Sequence, residues 1–121
     1  MEDGTPIIDM PEALNRAMGD VDFLKMMLEE LHRTIPDYTS RIQQALKSKD
    51  FDTLGSDAHQ FKGAAANLGA KAIAHAALLL EQIGKSGSLE GAQEAFHLLE
   101  QSIKSFDQHF KQIDWTTITR G

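Results

Sequence analysis

With no cysteine in the chain, covalent chemistry falls to five histidines, the carboxylates, the hydroxyls and the lysines. Among them His59 stands out for what surrounds it. On a helix, the positions three, four and seven residues away on its side are Gly55, Ser56, Lys62, Gly63 and Ala66, and four of these five side chains are minimal. Two glycines on the outer face of a helix cost about 1 kcal/mol each relative to alanine, and no turn or cap explains them at these positions. The pattern reads as a cleared face on which a large partner brings its backbone close to the imidazole. An imidazole in water titrates near about 6.5, so at neutral pH much of it is an uncharged nucleophile suited to accepting a phosphoryl group. Lys62, one turn away, can neutralise part of the charge that arrives. An ordinary surface histidine is the competing reading, and the glycines and the lysine weigh against it.

The elements that must position this face are all helical. β-branched residues are sparse, strict alternation is absent, and apolar residues fall at helical spacings through most of the chain. A short helix over about 10–18 has Asp9 as N-cap, Glu12 at N3 and Gly19 as its stop. A second, about 20–49, carries Leu24, Leu28, Leu31, Ile35, Tyr38, Ile42 and Ala45 on one stripe. Pro36 lies inside it, and the missing N–H predicts a kink or local break near residues 33–36. The third begins at Asp50, buries Phe51, Leu54, Ala58, Phe61, Ala65 and Leu68, and ends or bends at Gly69; His59 lies well away from that stripe and should be accessible to solvent. A fourth, about 70–84, buries Ile73, Ala76, Leu80 and Ile83. GKSGS at 84–88 reads as a turn, with Ser88 able to cap a fifth helix that runs to about 113. The predicted fold is all-α, an antiparallel up-down-up-down four-helix bundle with a short extra N-terminal helix, one domain over 1–121 with its core at about 8–113. The tail, DWTTITRG, is left unassigned.

The bulk properties restrict the partners. At 121 residues, 41% hydrophobic and 25% charged, the chain has the composition of an ordinary globular domain. Its formal net charge of -6 argues against nucleic acid, which needs clustered Lys and Arg. The acidic surplus is by default a solvated surface that can also help select partners. Neither a long apolar run nor a secretory leader is present, so no membrane is expected, and the absence of cysteine fits a reducing cytoplasm.

Two rival readings carry specific residues. Glu29 with His32 and Glu94 with His97 have the Glu-x-x-His spacing of a di-metal bundle site, but the stripes at Leu28/Leu31 and Phe96/Leu99 put all four beside or outside the core, whereas ligands must point inward. No metal or cofactor is therefore assigned to this chain. The second rival is a non-catalytic interaction module that docks a partner helix through the small-residue patch around Gly63, with His59 a bystander. His75 and His109 read as satisfied or solvated helix residues, and Met18, Met26 and Met27 as core filling rather than as a docking surface with Ile7 and Ile8.

The segment AHQFKGAAANLGA at 58–70 resembles the signature of the histidine-containing phosphotransfer family, H-x-x-K-G-[SA]-[SA]-x-x-[LIV]-G, matched by His59, Lys62, Gly63, Ala64, Ala65, Leu68 and Gly69. Looser agreement extends over nearly the whole chain and includes the proline in the second helix and the Leu80-Glu81 pair. The resemblance implies a monomeric phosphocarrier rather than an enzyme. His59 would accept a phosphoryl group from an aspartyl phosphate on the receiver domain of a hybrid sensor kinase and donate it to the receiver of a response regulator, in a bacterial-type relay. Mg²⁺ and most catalytic groups would belong to the receiver. In some members a glutamine on the next helix orients the imidazole; the equivalent position here is Glu81, and an acid would orient the ring too. No Gly-rich phosphate loop is present, since GKSGS lacks the Walker spacing, so autophosphorylation is not expected.

Overall fold

Asp9, Asp20 and Asp50 each open a helix in the same way, a side-chain oxygen accepting the backbone N–H three residues on: Glu12 at 3.1 Å, Phe23 at 3.0 Å and Thr53 at 3.1 Å. Each satisfies one of the donors that a helix start leaves unpaired. In the computed structural model, which describes residues 7–118, five helices follow: α1 (Met10–Arg16), α2 (Val21–Ser48), α3 (Phe51–Asn67), α4 (Lys71–Ser86) and α5 (Ala92–Gln112). No strand is present among the described residues.

The short connections after α2, α3 and α4 make successive helices antiparallel neighbours. α3 packs on α2 and α4, and α5 packs on α4 and closes the ring against α2. Leu24, Leu28 and Ile42 of α2, Leu54 and Phe61 of α3, Ile73 and Leu80 of α4 and Leu99 and Phe106 of α5 are fully buried between them. Each such side chain contributes about 1.5–3 kcal/mol by leaving water. Tyr38 stacks on Phe61 with ring centroids 4.7 Å apart, joining α2 to the interior face of the helix that carries His59. α1 caps one end: Asp9 N–H donates to Gly69 O at 2.8 Å, and Lys71 reaches Asp9 and Glu12 at 3.3 Å. Gly69 (φ 72°) allows no Cβ there, because one would sit 2.7 Å from Asp9 O.

Four local expectations are corrected. α2 continues through Pro36 without a break: burial of Leu31, Ile35 and Ile42 on one stripe outweighs one missing donor. α4 does not end at Gly84 but runs to Ser86, with Gly87 in the left-handed region as its cap. α5 starts at Ala92 behind Gly91, and Ser88 instead binds the N–H of Glu90 at 3.3 Å. Two of the methionines do not fill the core, Met18 being 92% and Met26 58% exposed, while Met27 packs partly buried against it. In the tail, Asp114 caps a turn through Thr116 N–H at 3.0 Å, and Trp115 packs against the bundle; residues 119–121 lie outside the described residues.

Candidate functional site

α3 buries Leu54, Ala58, Phe61 and Ala65, and that stripe turns His59 outward, where its side chain is 66% exposed. Across the α3–α4 contact the buried stripe of α4 includes one acid, Glu81, only 4% exposed. Its Oε2 lies 3.0 Å from His59 Nδ1. Lys62 Nζ, one turn along α3, lies 2.7 Å from Oε1, and Lys85, one turn along α4, lies 3.3 Å from Oε2. A single buried carboxylate therefore meets one imidazole and two ammonium groups. The hydrogen bond of Lys62 above all, with those of His59 and Lys85, holds the Glu81 carboxyl down to about 2 against burial, which pushes it up. The acid stays ionised across the neutral range.

This arrangement leaves the imidazole with one nitrogen held and one open. A carboxylate only accepts, so Nδ1 faces it as the donor N–H, and Nε2 is left with its lone pair in an exposed ring. The geometry supports nucleophilic attack from Nε2 on an electrophile brought by a partner. Lys62, which the spacing assigns to the incoming charge, spends its ammonium on Glu81 in the free protein.

The small residues around His59 divide into two groups. Gly63 is exposed, and a Cβ built on it would meet nothing within 4 Å; Ser56 and Ala66 are also exposed. Gly55 is half-buried against α4, and its own Cβ would meet only Gly84 backbone, at 3.9 Å, an ordinary contact. It faces Gly84 of α4, and a Cβ on Gly84 would stand 2.6 Å from Gly55 N and 2.7 Å from its Cα. Gly84 lets the helix backbones touch one turn from His59 and Glu81. Lys85 was missed because GKSGS resembles a turn; once α4 is known to continue, its i, i+4 spacing from Glu81 identifies it.

The residues of the rival metal reading are dispersed. His32 Nε2 pairs with Asp107 Oδ1 at 2.5 Å and stacks on Phe110 at 4.8 Å, while Glu29, Glu94 and His97 are exposed. Among the described residues no three metal-capable side chains come together. His75 is exposed and His109 partly buried, and no helix among the described residues is long and apolar enough to cross a membrane.

The fold is that of a phosphotransfer helical bundle. It is similar to the crystal structure of histidine-containing phosphotransfer protein B from Pseudomonas aeruginosa PAO1, at 24% sequence identity and a TM-score of 0.82, over 90% of this chain and 95% of that one. No curated protein matches the sequence. Residues 26–109, which include His59, Lys62, Glu81 and Lys85, match the family model described as Hpt domain, and the chain belongs to that family. The family's role is histidine phosphotransfer in phosphorelays, in which its members meet receiver domains.

Proposed function

We propose that this chain is a phosphocarrier that receives a phosphoryl group on Nε2 of His59 from the aspartyl phosphate of a hybrid kinase's receiver domain and passes it to the receiver of a response regulator. The observation that carries the reading is the pairing of an exposed imidazole with a buried acid: Nδ1 is held at 3.0 Å while the rest of the ring is open to a partner. In the forward step the Nε2 lone pair bonds to phosphorus, the P–O bond to the aspartyl group breaks, and its electron pair leaves with the carboxylate. The Mg²⁺ expected in that exchange is held by the receiver, so this chain contributes position and charge rather than a complete catalytic apparatus.

Glu81 acts as the positioning residue of the ring. Lys62, with its side chain 29% exposed beside the acid, meets the added negative charge. Ser56, Gly63 and Ala66 form the surface over which the receiver closes. Beside Gly63, a groove between α2 and α3 lined by Met26, Met27, Leu31, Tyr38, Ala64 and Leu68 adds apolar surface to that contact. The protein works in this reading as a cytoplasmic monomer, organised as one domain.

The test is transfer itself. The purified protein is mixed with phosphorylated receiver domains from its host, and acid-labile, base-stable phosphate is followed on wild type and on His59→Gln. Label on the wild type alone is expected. Binding of the same receivers without transfer to either protein would favour a docking module built around Gly63.

A further inference from the structure

We propose that the charge of Glu81, and not only its hydrogen bond, sets the lifetime of phosphoryl-His59, because it keeps the proton on Nδ1 and lets the ring leave phosphorus as neutral imidazole. This rests on the reading of His59 as the phosphoacceptor. Once Nε2 carries a phosphoryl group, a proton on Nδ1 gives the ring a positive charge. Loss of that proton would set the bare Nδ1 lone pair against a carboxylate oxygen 3.0 Å away, in a side chain only 4% exposed. Both oxygens of a carboxylate are acceptors, so Glu81 supports only the protonated ring. A glutamine in the same place could accept from Nδ1–H through its oxygen or, turned over, donate to bare Nδ1 through its NH₂. The two side chains have equal reach and differ in which ring state they hold.

The consequence falls on the bond that must break. The Nε2–P bond cleaves and its electron pair returns to Nε2, while phosphorus bonds to an oxygen of the acceptor carboxylate or of water; with water, the surplus proton goes to solvent. Nδ1 keeps its proton throughout, and the leaving group is neutral imidazole instead of imidazolate. The charged groups around the pair act in both directions. Lys62 on α3 and Lys85 on α4 keep Glu81 ionised, yet Lys85 shares Oε2 with Nδ1 and weakens its hold on the proton. Arg41, from α2, is engaged with Asp57 at 3.8 Å.

The experiment loads wild type, Glu81→Gln, Lys85→Met and His59→Gln with phosphoramidate, a small donor that needs no receiver. Phosphoryl loss is then followed by ³¹P NMR between about pH 6 and pH 9. Wild type is expected to lose its phosphoryl group at a nearly constant rate over most of this range, with any fall confined to its upper end. In Glu81→Gln the rate should fall with rising pH by up to about tenfold per unit, the slope of a single proton. Lys85→Met, which leaves Oε2 to Nδ1, should extend the constant region upward; the lysine is 74% exposed, so this variant serves as the test if the glutamine variant does not fold. Superimposable profiles for wild type and Glu81→Gln, or an unmoved or contracted plateau in Lys85→Met, would overturn the assignment to charge. Equal loading of His59→Gln and wild type would instead overturn the phosphoacceptor reading itself.

Discussion

Replacing Gly84 with alanine adds one methyl group where two helix backbones touch, and its effect can be worked out from distances. The new Cβ would stand 2.6 Å from Gly55 N, 2.7 Å from Gly55 Cα and 2.9 Å from Phe51 O. All three are backbone atoms, so no side-chain rotation relieves them. Ordinary carbon contacts lie near about 3.5–4.0 Å, and α4 must therefore move from α3 by about 1 Å. Overpacking of this kind costs about 1–3 kcal/mol or more, against about 1 kcal/mol gained from alanine's helix propensity. With three backbone contacts below 3 Å the cost falls at the upper end of that range, a net loss of about 2 kcal/mol follows, and for a chain of this length each kcal/mol lowers Tm by roughly 4 °C. The movement also acts on function, because Gly55 and Gly84 lie one turn from His59 and Glu81. A shift of about 1 Å stretches the 3.0 Å contact between Nδ1 and Oε2 beyond hydrogen-bond reach. Thermal melts followed by circular dichroism, alongside phosphoryl transfer, measure both effects. Gly55→Ala is the internal comparison: its Cβ would meet Gly84 Cα at 3.9 Å, an ordinary contact, so Tm should hold or rise. A Gly84→Ala protein as stable as wild type, or equal losses in both variants, would refute the close-crossing argument.

Other expectations follow from the same geometry. Gly63→Ala meets open space and should raise stability by up to about 1 kcal/mol in a denaturant melt, whereas Gly63→Leu should fold but transfer poorly; normal transfer by the leucine variant with every receiver would sink the cleared-face argument. Glu81 is depressed from 4.5 to about 2, so it stabilises the folded state above its unfolded value, and that contribution of about 3 kcal/mol is lost as pH falls from about 4.5 toward about 2. Acid titration of Glu81→Gln should show a correspondingly smaller stability loss in that window. His32 first, with Lys111, lowers the Asp107 carboxyl, so Asp107→Asn should lower Tm at neutral pH and converge with wild type as pH falls below the ordinary aspartate range; a constant gap down to pH 2 would contradict the clamp between α2 and α5.

The order of the helices, the cap at Asp9, the helix starts at Asp20 and Asp50, and the outward turn of His59 were legible because each depends on neighbours within one or two turns. The chemistry proposed for His59 could be argued for the same reason, since Lys62, Gly63 and the signature around them occupy a single helix. Tertiary structure decided what lay beyond that reach. Periodicity sets the rotation of a side chain about its own helix, but not how far one helix slides along the next. The 3.0 Å meeting of His59 with Glu81, 22 residues away, and that of His32 with Asp107, 75 residues away, follow from such offsets. Gly84 shows the same limit most clearly: its local context reads as a stop, but the contact with Gly55 gives a helical glycine there a packing role that no window on one strand of sequence contains. By itself the sequence determined that the imidazole of His59 is turned outward from its helix. The packing of α3 on α4 decided that a buried, ionised acid would stand behind it, because only removal from water beside two lysines and the ring gives that acid its place and charge.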